Sequence, residues 1–239
     1  MVRAAWLWWI VFIGFACEAD HERRVDYAVQ GIDVSHYQAH IDWEEVAADD
    51  FHFAFVKATE GMTHVDARFC YNWSEISRLG MRRGAYHFYR PSVPATEQAW
   101  HFINWVDLHT GDLPPVLDVE VLDGVPTPVL LNELRTWLSI VERHYGIKPI
   151  IYTSLTFFNR HLAGHFDEYP LWIARYAGRE PTLACGSDWH FWQYANKGRC
   201  RGVEGFVDLN VFFGTHEELE AVSLPDRSVY SIFGEEINW

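Results

Sequence analysis

The sequence predicts an α/β fold: an irregular, closed parallel β/α barrel forming one catalytic-size domain. Eight strand-like apolar runs follow one another from Gly31 onward, and amphipathic helical stripes separate the early ones. Strand–helix–strand alternation of this kind gives right-handed crossovers and a parallel sheet, and eight strands suggest closure. The last three runs are joined by connections with little room for helices, which makes the barrel irregular. At 239 residues the chain fits one large domain or two small ones, and no Gly-rich boundary or internal repeat divides it.

Residues 1–16 are set aside as a signal peptide. Arg3 supplies one positive charge, and Ala4 to Ala16 form an uncharged, mostly apolar run that is short for a membrane span. Gly14 and Ala16 fit cleavage before Cys17, and Cys17 directly after the run is a lipidation candidate of the bacterial lipoprotein type. The expectation is an exported protein: periplasmic, secreted or lipid-anchored in the cell envelope. Membrane attachment is expected only through Cys17 or an uncleaved signal. Residues 17–30 read as an N-terminal linker, 31–215 as the barrel, and 216–239 as a short helix (His216–Val222) with an acidic tail.

The strand-like runs are Gly31–Val34, Phe53–Ala58, Gly84–Tyr89, Val116–Glu120, Pro149–Thr153, Leu171–Ala174, His190–Tyr194 and Val207–Asn210. Phe69, Trp73, Ile76 and Leu79 approximate one helical stripe; Ala99, Phe102, Ile103 and Val106 make another. Leu130, Leu134, Trp137, Leu138 and Val141 make the clearest, with Thr127 as N-cap and Pro128 at the first helical position.

Composition narrows the partners. Nineteen Lys+Arg against thirty-three Asp+Glu give a formal net charge of −14, which argues against nucleic acid and against a polybasic membrane patch. Twelve Trp, eleven Tyr and sixteen Phe suggest a surface for flat, hydroxylated ligands. Of the four cysteines, none is spaced as CxxC. Cys185 and Cys200 flank a predicted strand and could pair in an oxidising compartment, closing a loop for roughly 3 kcal/mol. Cys70 reads as a buried free thiol in a helix. His36/His40 and His161/His165 are four apart, but neither pair carries the Glu of His-Glu-x-x-His, so no metal is expected. No Walker loop or Gly-x-Ser-x-Gly elbow is present, and no cofactor is expected. A monomer is expected.

In parallel barrels chemistry sits at the C-terminal mouth of the strands. Asp33 lies near the end of the first strand, Asp118 and Glu120 at the end of the fourth, and Asp208 on the last. Asp118 and Glu120 are i and i+2 on a strand, so both point to one face. Repulsion and desolvation push one pKa of such a pair up, giving an acid beside an anion, which glycosidic cleavage requires. Alone, one Asp-x-Glu is equally a pair of solvated acids or a Ca²⁺ site; four acids at strand ends favour a hydrolase.

Ordered motifs then carry a resemblance. Gly31-Ile32-Asp33-Val34-Ser35-His36-Tyr37-Gln38, Phe55-Val56-Lys57-Ala58-Thr59-Glu60-Gly61 and Gly84-Ala85-Tyr86-His87-Phe88-Tyr89 come first. Val116-Leu117-Asp118-Val119-Glu120, Leu171-Trp172-Ile173-Ala174-Arg175-Tyr176, Phe191-Trp192-Gln193-Tyr194 and Val207-Asp208-Leu209-Asn210-Val211-Phe212 follow. From about Gly31 to Gly214 the chain resembles the glycoside hydrolase family 25, or CH-type, lysozymes. The resemblance implies a (β/α)5(β)3 barrel that hydrolyses the β-1,4 bond between N-acetylmuramic acid and N-acetylglucosamine in peptidoglycan glycan strands. It implies Glu120 as proton donor and Asp118 as the carboxylate beneath the sugar, steering the substrate's own acetamido group or a water. Asp33 and Asp208 would orient the site.

Other residues near the mouth have two readings each. Tyr86 and Tyr152 could hydrogen-bond the sugar or belong to the core. Trp172 and Trp192 could offer stacking faces, or alternation could bury them. Gln193 and Asn210 offer amides for sugar hydroxyls. Lys57 and Glu60 could be an ion pair, and His87, on the opposite strand face, reads as a core histidine. A non-catalytic glycan-binding barrel, and a hydrolase of another acetamido-sugar polymer such as chitin, remain as alternative functions.

Overall fold

The computed structural model describes residues 25–226; the expected signal peptide, Cys17 and most of the acidic tail lie outside the described residues. The elements run β1 (Val29–Val34), a 3₁₀ turn (His36–Gln38), α1 (Trp43–Ala47), β2 (Phe53–Glu60), β3 (His64–Val65), α2 (Phe69–Arg78) and β4 (Arg82–Phe88). Then come α3 (Ala95–Trp105), β5 (Val116–Asp118), α4 (Thr127–Tyr145), β6 (Ile150–Ser154) and α5 (Leu155–Phe157), which runs into a π-helical turn (Phe158–Leu162). β7 (Leu171–Ala174), β8 (Phe191–Gly198), β9 (Val207–Phe212) and α6 (His216–Ala221) complete the chain. All eight expected strands are present. Helix α4 starts one residue earlier than expected: Pro126 is the N-cap, and the Thr127 hydroxyl instead meets His161 Nδ1 at 2.8 Å.

The sheet order β1-β9-β8-β7-β6-β5-β4-β2 closes through β1–β2 pairing, with β3 as a short appendage on β2. Seven barrel strands are parallel. β9 is antiparallel to both neighbours, so the barrel is mixed rather than purely parallel. The reason lies in the connection: residues 199–206 are too few for a parallel crossover, which takes a dozen or more. Reversal puts the start of β9, not its end, at the mouth, where Asp208 is the cross-strand partner of Asp33.

Strand alternation sorts side chains into two cores. Ile32, Ala54, Val56, Ala85, Leu117, Ile151, Ile173, Trp192, Leu209 and Val211 point outward to pack with the helices. Phe53, Phe55, Val116, Ile150, Trp172, Phe191 and Phe212 point inward and plug the barrel. The plug needs missing side chains opposite it. A Cβ at Gly31 would stand 2.3 Å from the Phe53 ring, and one at Gly84 would stand 2.6 Å from Phe55. With its lower half filled by rings, the barrel can leave only its upper layer to polar groups.

The cysteine expectations need correction. Cys185 and Cys200 do not bond to each other. They lie before and after β8, whose eight residues separate them by roughly 25 Å at strand rise, far beyond disulfide reach. Cys185 Sγ is instead 3.1 Å from Ser187 Oγ, and Cys200 Sγ is 3.0 Å from the Arg201 carbonyl. Cys70 is exposed, because α2 buries Phe69, Asn72 and Ile76 and turns Cys70 outward.

Candidate active site

One polar cavity of about 360 Å³ opens at the mouth above the aromatic plug, lined by Asp33, Tyr86, Asp118, Glu120, Tyr152 and Trp172, with Tyr176, Gln193, Asn196 and Asp208 completing its wall. All four predicted acids meet in it. Asp33 arrives from β1, Asp118 from the end of β5, Glu120 two residues later, and Asp208 from the reversed β9. Asp33 and Asp118 are only 5% and 4% exposed; Glu120 is open to the cavity.

Burial acts on all four. It pushes Asp33 up to about 6, against hydrogen bonds from Asn210, Gln193 and Asp208 that favour its charged form. Burial, then the charge of Asp33 and a hydrogen bond to it, push Asp208 up to about 9. Burial raises Asp118 well above the usual carboxylate range, with the Glu120 charge adding to it and Lys57 opposing. Glu120 is also raised by burial, while its hydrogen bond to Asp118 and the Lys57 charge pull the other way. At neutral pH the Asp33–Asp208 pair therefore holds one proton between two carboxyls, burial favours the protonated form in the Asp118–Glu120 pair too, and each pair titrates as a unit.

The amides expected to meet sugar hydroxyls are committed elsewhere. Gln193 Nε2 and Asn210 Nδ2 both donate to Asp33 Oδ2, each at 2.7 Å. Gln193 Oε1 accepts from the hydroxyls of Tyr152 and Tyr176, both at 2.8 Å, and Asn210 Oδ1 accepts from Trp172 Nε1 at 2.8 Å. Gln193 and Asn210 are buried, and their amide groups are engaged by protein partners, with Gln193 still lining the cavity.

The tryptophans are corrected. Trp192 points out of the barrel into the outer core, fully buried, and its indole donates to the Arg175 carbonyl at 2.9 Å. Trp172 reaches the cavity, but its ring is stacked on Phe55 at 4.3 Å and flanked by Tyr152, so no face is free for a sugar. Tyr86, half-buried, lines the cavity as expected; Tyr152 lines it with its hydroxyl already turned to Gln193. His87 is the buried core residue its strand face implied: its ring meets Thr59 Oγ1 at 2.7 Å and Gln98 Oε1 at 3.1 Å, and burial lowers its pKa to about 3.

Tyr176 and Asn196 also line the cavity, and the sequence reading singled out neither. Tyr176 sits just past β7 and is half exposed, so it is the aromatic ring best placed to meet a ligand. Strand-end position was its available signal. Lys57, on β2, forms the expected ion pair with Glu60 at 2.7 Å, and Arg90 Nε reaches the other Glu60 oxygen at 2.9 Å. The Lys57 charge also bears on Asp118 and Glu120.

Comparison with known proteins points to one family. The family model "Glycosyl hydrolases family 25" matches residues 32–203. The chain is 46% identical over 200 residues to an uncharacterised Escherichia coli protein, YegX, covering 82% of this chain and 73% of that one. It is 36% identical over 214 residues to lysozyme M1 of Streptomyces globisporus, covering 82% and 71%. A solved family 25 glycosyl hydrolase from Bacillus anthracis superposes with a TM-score of 0.80 at 36% identity, over 85% of this chain and 97% of that one.

Proposed function

The chain belongs to glycosyl hydrolase family 25 and is a glycoside hydrolase, and on that premise we propose that it is an N-acetylmuramidase. Its bond is the β-1,4 link between N-acetylmuramic acid and N-acetylglucosamine in peptidoglycan. The observation that carries this reading is the meeting of four carboxyls in one cavity, with burial favouring the protonated form in each pair.

Glu120, the carboxyl most open to the cavity, is the acid that protonates the leaving glycosidic oxygen. Asp118 lies deeper, and its Oδ1 is buried without a hydrogen-bond partner among the described residues. An acetamido N–H donating to Asp118 favours its anion and moves the shared proton onto Glu120, so substrate itself arms the acid. Cleavage then passes the Glu120 proton to the glycosidic oxygen as the C1–O bond breaks. The acetamido oxygen closes on C1, and water reopens that ring while returning a proton to Glu120. This route retains the anomeric configuration, as in other substrate-assisted glycosidases. The apolar run ahead of Cys17 supports export, so that the enzyme meets wall material outside the cytoplasm.

Digestion of purified peptidoglycan, followed by borohydride reduction and sugar analysis, tests the reading. New reduced muramic acid ends are expected; reduced glucosamine ends would assign another bond, and binding without new ends would mark a non-catalytic barrel. Proton NMR of the first product formed, which should be the β-anomer, tests retention.

A further inference from the structure

We propose that Gln193 and Asn210 are positioning residues that hold Asp33 as the charged member of its pair with Asp208, and that Tyr152, Tyr176 and Trp172 act through them. This rests on the hydrolase reading of the same cavity, but it concerns groups that do not touch the reacting bond.

The Trp172 indole sets the orientation of the first amide. Trp172 Nε1 can only donate, so the Asn210 atom 2.8 Å away must be the carbonyl oxygen. The Asn210 amino group is then forced toward Asp33 Oδ2, at 2.7 Å. Gln193 repeats the arrangement from the other side, its oxygen accepting two phenol hydroxyls and its amino group meeting the same Asp33 oxygen at 2.7 Å. One carboxyl oxygen thus faces two NH₂ groups, neither of which can accept a hydrogen bond. A proton on Asp33 Oδ2 would have no acceptor there. The proton of the pair belongs on the side of Asp208, the cross-strand partner. Asp33 is left as an anion facing the cavity wall at which positive charge develops on the sugar during cleavage.

The other titratable groups facing Asp33 differ in their effect on that charge. Glu120 and Asp118 oppose it from the β5 side, whereas Asp208, the protonated partner on β9, donates a hydrogen bond that favours it. The hydroxyls of Tyr86, Tyr152 and Tyr176 sense its charge from β4, β6 and the segment after β7. Lys57, a cation of this layer, acts on Asp118 and Glu120. The two amides, together with the Asp208 carboxyl, are therefore what the fold places against Asp33 to keep it ionised.

The test is a carboxyl titration that needs no turnover. Protein labelled with ¹³C in its aspartate carboxyls is titrated by NMR, with Asp33→Asn assigning the signal. Asp33 in the unaltered protein should ionise near pH 6. In Asn210→Leu and in Gln193→Leu the midpoint should rise by about one to two pH units, since donors that favour the charged form are gone. In the double variant Tyr152→Phe/Tyr176→Phe, which leaves both amides in place but unpins Gln193, a smaller rise is expected. That variant also carries the test if the leucine variants do not fold. The acid limb of the kcat profile on peptidoglycan should move up in step, with KM little changed. Unchanged midpoints in the variants that fold, or a rise in KM with kcat intact, would overturn the proposal and return the amides to sugar binding. Shifted midpoints in a protein that cuts no peptidoglycan would instead uphold it and refute the muramidase reading.

Discussion

Asp33 and Asp208 lie on paired strands with two amides closed onto Asp33, whereas Asp118 and Glu120 lie two residues apart at the end of β5, and Asp118 Oδ1 meets no donor among the described residues. Both pairs sit in one cavity, and burial raises all four carboxyls. The difference is in what surrounds them. Around Asp33 each buried donor has an acceptor, and the position of the proton is fixed by hydrogen bonds reaching back to Tyr152, Tyr176 and Trp172. Asp118 Oδ1 meets no donor among the described residues, the hydrogen bond with Glu120 raises the Asp118 pKa, and only the charge of Lys57 favours ionisation. A pair wired in this way keeps its charge; a pair left unwired can pass its proton to a substrate. The same barrel rim builds a fixed electrostatic element on one side and a proton-transfer element on the other.

The comparison is broken most directly at Glu120. Glu120→Gln keeps shape and hydrogen-bonding capacity but cannot give up a proton, and loss of a general acid costs typically 10²–10⁴-fold. Turnover of purified peptidoglycan should fall by about that factor while the circular dichroism melt stays unchanged. Lysis at the unaltered rate would remove Glu120 from the acid role.

Stability should separate the pairs next. Asp118 has its pKa raised by folding, so the folded state binds more protons than the unfolded chain as pH rises past the ordinary aspartate value. Its carboxyl therefore destabilises the fold increasingly from about pH 4 upward. Asp118→Asn should raise Tm at pH 7 by a few degrees, at roughly 2–4 °C per kcal/mol, with the gain fading toward pH 4 and activity lost at both. Asp33→Leu should do the opposite. It strands two buried amino groups at a cost of about 1–3 kcal/mol each, and Tm should fall. Calorimetric melts giving the same sign for both substitutions would show that the two pairs are held alike.

Much of this contrast was hidden in the sequence for a physical reason. Asp118 and Glu120 were legible because i, i+2 on a strand fixes a shared face. The inward and outward sets were legible for the same reason, and so was the buried place of His87. The partners of Gln193 and Asn210 were not. Their common acceptor, Asp33, is 160 and 177 residues away, and only the closure of β1 against β9 brings the three together. An amide at a strand end looks identical whether it waits for a sugar or holds a carboxylate. Trp192 could be read either way until its register with Ile173 placed it outside the barrel. The reversal of β9 was implicit in the short 199–206 connection, and counting that loop against the length of a crossover would have found it. The expected Cys185–Cys200 bond rested on closeness in sequence, which an intervening strand converts into distance.

Lys57 offers the finest test of the contrast, because it acts on one pair only. Its ammonium is nearly buried, held by Glu60 at 2.7 Å and 5.0 Å from the centre of the Phe88 ring, and its charge lowers the pKa of both Asp118 and Glu120. Lys57→Met keeps the stem volume and removes the charge. The unwired pair should respond: with no cation to favour ionisation, its protons are held to higher pH, and a neighbouring opposite charge is worth about 1–3 pH units. The basic limb of the kcat/KM profile, which follows loss of the proton from the acid, should therefore move up by about one unit or more. The acid limb assigned to Asp33 should stay in place, since its charge is set by amides that Lys57 does not touch. Glu60 keeps its bond to Arg90, so the effect on Tm should be small, in keeping with a partly exposed ion pair. Movement of both limbs together would mean that the four carboxyls act as one cluster, and a downward move of the basic limb would mean that the proton counted in that limb is not the one shared by Asp118 and Glu120.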